Sequence, residues 1–189
     1  VSSEVSARVE VVSKLREVFR ENGYEGTSLS EITEQTGLGK SSLYHHFPDG
    51  KTEMAEAVLD DIDEWFEVYV FKPLRECEDT ITGVKFMFKQ VNHYFDSGNR
   101  ICLIGAFALD NTRDQFHNKI KNYFKAWVDA LAVALKRKCI TQSEAKTLAE
   151  DAVITIQGAL VLARSQADAK IFTRTLKRLE KRMLASLYE

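Results

Sequence analysis

Lys40, Ser41, Ser42, Tyr44 and His45 put one cation, two hydroxyls, a phenol and an imidazole on one short stretch. Leu43 and Phe47, four apart, supply the apolar side of the same helical turn. A helix exposing this set carries donors and acceptors but no paired nucleophile and base. The chemistry it fits is hydrogen bonding to base edges and phosphates in a major groove. Ser41, Ser42 and His45 suit base edges; Tyr44, His46 and Lys40 suit phosphates, as does Lys51 a little further on. His46 has a second reading as a half-buried packing residue. Thr27 and Ser28 offer hydroxyls to phosphate where the preceding helix starts, although Ser28 also reads as a cap.

Presenting those side chains requires a particular local architecture. Ser28 with Glu31 three residues on is a capping box, so a helix begins just after Ser28. Ile32 is its apolar contact, and Gly37 ends it in a left-handed conformation. A tight Leu38-Gly39 turn then leads into a second helix from Lys40 to about His46. Together they form a helix-turn-helix, the competing reading being a corner of an ordinary helical bundle. Ahead of them a helix over about Ser6 to Asn22 turns Val12, Leu15 and Phe19 inward, flanked by Val11 and Val18. Asn22-Gly23 closes it and Tyr24 packs back on the helical pair. Pro48-Asp49-Gly50 makes a turn, and Lys51-Thr52 opens a helix to about Phe71 that Lys72-Pro73 stops.

The run from Phe19 to Phe47, with Gly23-Tyr24, Thr27-Ser28, Ile32, Gly37-Leu38, Leu43-Tyr44 and His46-Phe47, resembles the N-terminal DNA-binding domain of TetR-family repressors. The resemblance implies a dimeric transcriptional repressor released from its operator by a small molecule. It also implies an all-α fold of about nine helices, with a head over residues 1–51 and a ligand-binding and dimerisation body over 52–189. Two recognition helices about 34 Å apart in such a dimer would read a palindrome.

Charge narrows how the head can hold DNA. The net charge is −2 over 189 residues, and residues 1–51 carry six Lys or Arg against eight Asp or Glu. A head that is not basic has to rely on a few placed cations, chiefly Lys40 and Lys51, and on helix N-termini. Residues 170–189 reverse the balance, with six basic residues against two acidic. Hydrophobic content of 44% and charged content of 29% are ordinary for a soluble protein. No apolar run is long enough to span a bilayer, and charges within Val1 to Glu10 argue against a signal peptide. Cys77, Cys102 and Cys139, odd in number and widely spaced, suit a reducing cytoplasm.

From Thr80 onward the pattern is helix after helix: Ile81 to Asp96, Cys102 to Leu109, Arg113 to Lys138, Thr141 to about Gln166 behind a second capping box with Glu144, and Ile171 to Leu187. Aromatic stripes in this region usually mean core. They also outline the kind of apolar pocket that holds a flat ligand, for which Trp65, Tyr69, Phe86, Phe107, Phe116, Tyr123 and Trp127 are the walls. His93, Asn111 and Gln157 are the polar groups near them, and Cys102 is a further lining residue. The segment Cys102-Leu103-Ile104-Gly105-Ala106-Phe107, with Gly158-Ala159-Leu160 and Ala163-Arg164, resembles a TetR subgroup that includes repressors of drug and flavonoid response genes. Cys102 has an alternative role as an electrophile-sensing thiol activated by Arg100, against a bland one as a buried small hydrophobe.

The small residues Ala152, Ala159 and Ala163 with Ile156 permit close approach of another helix, and Phe172, Leu176, Leu179 and Met183 form one face of the last helix. Within one chain these faces read as core. The resemblance makes them a four-helix dimer interface. Glu56, Asp60, Asp63, Glu64 and Glu67 along one helix are a solvated face rather than a metal site. No HExxH, CxxC, phosphate-cradling glycine loop or G-x-S-x-G elbow is present, so neither enzyme activity nor a cofactor or metal is expected. A helical carrier or enzyme that does not bind DNA is the remaining rival.

Overall fold

The computed structural model describes residues 2–138 and 140–187, with side chains from residue 7 onward; Cys139 lies outside the described residues. Among them there are only helices and connections, and no helix is long and apolar enough to cross a membrane. The chain divides into two compact units, one of residues 1–64 with 103–120, the other of 65–102 with 121–189.

In the first unit α1 (Ser2–Gly26) breaks at Gly23, whose φ of 69° ends regular helix close to the expected Asn22-Gly23 stop. Leu15 and Phe19 are fully buried, with Val11, Val12 and Val18 beside them. α2 (Leu29–Thr36) begins behind the Ser28 box: Glu31 N–H donates to Ser28 Oγ at 3.2 Å and Ser28 N–H to Glu31 Oε2 at 2.6 Å. Those bonds hold the Glu31 carboxyl below its ordinary pKa, the Ser28 backbone N–H contributing most. Gly37 caps α2 at φ 71°, a conformation only glycine adopts without strain. The Lys14 ammonium bonds the Thr36 carbonyl at 3.1 Å, a cation placed at the negative end of α2. α3 (Lys40–His46) follows, then α4 (Lys51–Phe66). α7 (Leu103–Leu109) and the start of α8 (His117–Lys136) complete the unit.

The expected stop at Lys72-Pro73 is corrected by the structure. The helical path passes from α4 through a π turn (Glu67–Phe71) into α5 (Lys72–Glu76) and ends at Cys77. Pro73 lacks the N–H that would bond Tyr69, and the wider turn, in which Lys72 N–H reaches the Glu67 carbonyl, puts the proline into a first helical turn where no such bond is needed. Counting this rod once gives nine helical rods among the described residues.

The second unit is built on an aromatic hub. Phe66 lies 4.8 Å from Tyr94, 5.1 Å from Tyr123 and 5.1 Å from Trp127, ring to ring, with Phe71 and Phe95 just beyond. Phe95 in turn meets Phe172, which ties α6 (Thr80–Tyr94) to α10 (Lys170–Ala185). α9 (Gln142–Ser165) opens behind the Thr141–Glu144 box as expected and packs along α10. Arg137 closes the end of α5 by donating to the carbonyls of Leu74 and Cys77 at 3.0 and 2.9 Å, and to that of Arg75.

Candidate nucleic-acid interface

α3 is short, and two buried side chains fix its rotation. Leu43 and Phe47 are fully buried, which leaves Lys40, Ser41, Ser42, Tyr44 and His45 exposed on the opposite side. Tyr44 is 47% exposed, and its ring packs on the Gly50 turn. His46 is half-buried, its ring edge-on to those of His45 and Phe47. Arg8 reaches the C-terminal end of α3 from α1, stacking over Phe47 at 4.8 Å and donating to the His46 carbonyl at 3.4 Å.

Two expected phosphate donors are placed elsewhere. Thr27 is buried and its hydroxyl donates to the Gly23 carbonyl at 2.5 Å, because the chain leaving α1 needs that bond to turn into α2. This corrects the expectation that Thr27 faces a phosphate. Lys51 points two of its three N–H bonds at the carbonyls of Tyr24 and Thr27, each at 3.1 Å, with its ammonium 4.4 Å from the centre of the Tyr24 ring. Its chief visible role is to hold the turn before α2. Ser28 stays exposed with its hydroxyl proton unassigned.

The other cations of the head are also committed. Arg16 pairs with Asp61 at 2.7 Å, Arg20 with Glu17, Lys14 with Thr36 and Glu10, and Arg8 with Glu53. Among the described residues Lys40 alone of the six has neither a hydrogen bond nor an ion pair. The bonds of Arg8 to Glu53 and of Lys14 to Thr36 are signalled by no local spacing, unlike the Glu10–Lys14 pair four apart on α1.

The eleven residues read as ligand-lining do not form one set. Phe107, Asn111 and Phe116 belong to the first unit, where Phe107 and Phe116 pack on Tyr24 at 6.0 and 5.2 Å; this corrects their assignment to a pocket in the body. Tyr24 is anchored by its hydroxyl on Thr52 Oγ1 at 3.1 Å, which Gln115 also meets at 3.1 Å. In the second unit Tyr123 and Trp127 are buried in the Phe66 hub and Trp65 lies against Tyr94 at 4.6 Å. Cys102 is buried, Gln157 is half-buried, and Tyr69, Phe86 and His93 are exposed. Trp127 Nε1 and Gln157 Nε2 are buried donors with no hydrogen-bond partner. Arg100, expected to activate Cys102, instead donates to the Tyr94 carbonyl at 2.7 Å.

The eight residues expected at a dimer interface, Ala152, Ile156, Ala159, Ala163, Phe172, Leu176, Leu179 and Met183, are all buried within the protomer. Their small-residue stripe does receive a close helix, but that helix is the chain's own α10. A different stripe on α9 is open: Ile154, Val161 and Leu162 are 67%, 60% and 50% exposed. Between them, the Cβ that Gly158 lacks would meet nothing within 4 Å. Apolar residues on both faces of α9 were the available signal. The acidic residues of α4 serve as ion-pair partners, Asp60 with Lys119 and Asp61 with Arg16, and no metal-binding cluster occurs among the described residues.

Comparison with known proteins gives the same picture at larger scale. Residues 11–58 match the family of bacterial regulatory proteins named for TetR, and residues 80–178 match the C-terminal domain of LmrA/YxaF-like transcriptional regulators. The HTH-type transcriptional regulator LmrA of Bacillus subtilis is 24% identical over 161 residues, covering 83% of this chain and 86% of that protein. The HTH-type transcriptional repressor KstR2 of Mycolicibacterium smegmatis is 30% identical over 146 residues, covering 69% and 65%. Among solved structures, a TetR-family regulator from Agrobacterium tumefaciens superposes with a TM-score of 0.80 at 18% identity, covering 94% and 97%. One from Legionella pneumophila gives 0.79 at 19%, covering 91% and 94%.

Proposed function

Because the chain belongs to the TetR family of bacterial regulatory proteins, and so is a DNA-binding transcriptional regulator rather than an enzyme, we propose that it acts as a homodimeric repressor. In this reading α3 of each protomer enters a major groove of a palindromic operator, and a small apolar or aromatic molecule bound by the second unit releases it. The same reading makes it a cytoplasmic protein. The observation that carries it is the outward face of α3, where Lys40, Ser41, Ser42, Tyr44 and His45 stand free of the core that Leu43 and Phe47 enter.

Dimerisation is supported by the open stripe of Ile154, Gly158, Val161 and Leu162 on α9, spaced three and four apart along one side of the helix. A ligand in the second unit is supported by the aromatic hub and by the two buried donors, Trp127 Nε1 and Gln157 Nε2, which an acceptor-bearing aromatic compound would satisfy. Release needs the ligand to favour one conformation over another by about 1–3 kcal/mol. Within the first unit, Phe107 and Phe116 touch Tyr24, and Tyr24 holds Thr52 and Lys51 at the start of α4. Movement of residues 103–120 would therefore be felt directly after the recognition helix. Ligand release without covalent chemistry is favoured over a thiol sensor, since Cys102 is buried. Cys102→Ser should leave ligand response intact; loss of the response would reverse that preference.

The test is selection of duplexes from a random-sequence pool by the full chain. Enrichment of a two-fold symmetric sequence, bound by the native chain and bound roughly tenfold or more less tightly by Tyr44→Ala and Lys40→Ala variants of unchanged melting temperature, is the expected result. A pool with no enriched sequence, or an enriched one that both variants bind as tightly as the native chain, would overturn the reading.

A further inference from the structure

A cleft of about 430 Å³ opens in the second unit between α6 and α10, away from the Phe66 hub residues. Phe88 and Leu176, both buried, form its floor. Lys85 and Lys89 from α6 and Lys177 from α10 stand exposed at its walls, one turn apart on their own helices or facing across. Among the described residues none of these three lysines has a hydrogen bond or an ion pair. Glu180 is the single carboxylate on the lining, so the cleft is cationic.

Neutral donors complete it. Thr173 lies on the α10 side, and Asn92 donates to Ser97 Oγ at 3.2 Å, which leaves the Ser97 hydroxyl proton free to turn into the cleft. Ser97 is held there by an unusual turn: Asp96, Ser97 and Gly98 have φ of 46°, 55° and 99°, two of them side chains in a region they seldom occupy. A Cβ on Gly98 would lie 2.7 Å from Phe172 Cβ, so the turn is pinned against the start of α10. Elsewhere on α10, Arg178, Lys181 and Arg182 are exposed and add to the positive charge of that helix, while Arg174 pairs with Asp168 at 3.5 Å.

We propose that this cleft binds a small organic phosphate, its phosphoryl group among Lys85, Lys89 and Lys177 and its apolar portion on Phe88 and Leu176. Three ammonium groups on one cleft, none of them ion-paired and with Glu180 the single carboxylate beside them, leave an excess of positive charge that a doubly charged phosphate neutralises. Lysines act on phosphate as point charges, while the serine and threonine hydroxyls supply directed donors. The concave volume is that of a small-molecule site rather than of a nucleic-acid track. This binding is independent of how the head holds DNA.

1-Naphthyl phosphate is the probe, titrated into the full chain at low salt and followed at the backbone amide signals of Ser97 and Thr173. 1-Naphthol and inorganic phosphate serve as controls. Saturable shifts at both amides are expected with 1-naphthyl phosphate, weaker ones with inorganic phosphate and none with 1-naphthol. In a Lys89→Gln/Lys177→Gln variant with native melting temperature the affinity should fall by roughly tenfold or more. Four results would overturn the proposal: no saturation by about 10 mM, shifts confined to other residues, equal response to 1-naphthol, or an affinity unchanged in the variant.

Discussion

Lys40 is distinguished by what its neighbours already do. Arg8, Lys14, Arg16, Arg20 and Lys51 each hold a carbonyl or carboxylate of the head, so their charge is used in folding it. Phosphate neutralisation then rests mainly on Lys40, and operator binding should depend weakly on salt for a DNA-binding protein. Removing one cation from a phosphate should flatten the plot of log affinity against log salt by about 0.9. Lys40→Ala should therefore reduce the slope by roughly twice that in a dimer, whereas an unchanged slope would mean that other cations neutralise the phosphates. Ser28→Ala should cost about 1 kcal/mol of stability in denaturant unfolding, as loss of a helix cap does. The types of side chain on α3 were legible in the sequence because Leu43 and Phe47 dictate its rotation. The internal duties of Thr27 and Lys51 were not, since they depend on where the carbonyls of Gly23, Tyr24 and Thr27 end up in space.

Elements were readable where their ends carry their own chemistry. Both capping boxes formed as their spacing requires, and in each the glutamate carboxyl is held below its ordinary pKa by bonds from the cap residue. A depressed folded pKa means stability that is present above the unfolded value and lost as pH falls through the folded one. The melting-temperature gap between the native chain and Glu31→Gln should accordingly be open at about pH 7 and narrow as the pH falls below the ordinary glutamate range. A gap that stays constant would show that the bond, not the charge, matters. Pro73 misled because a proline stop assumes an α register, and the π turn before it supplies another. The strained turn at residues 96–98 carries no sequence signal beyond Gly98 itself. Gly98→Ala should destabilise by about 2–3 kcal/mol, since the new methyl meets Phe172 and the left-handed φ also disfavours it. Native stability in that variant would mean that the turn relaxes freely.

At the scale of the whole molecule, residues 103–120 sit with the head rather than with the rest of the body, because Phe107 and Phe116 find Tyr24 and Phe19. Stripes of aromatics announce burial without saying in which unit, which is why these two were assigned to a ligand pocket. The small-residue stripe of α9 was misassigned for the same reason: periodicity shows that a helix arrives, not whose helix it is. Ile154, Val161 and Leu162 form an exposed apolar stripe on α9, and Gly158 among them can be enlarged without touching its own chain. Gly158→Arg should leave the fold intact and yield monomers in sedimentation. The most direct measurement is a footprint of the native chain and of Gly158→Arg on a duplex selected from the random pool. The account predicts two protected major-groove patches about 34 Å apart for the native chain, both disappearing in the variant at the same concentration. A single patch, or a pair that persists in the variant, would contradict it.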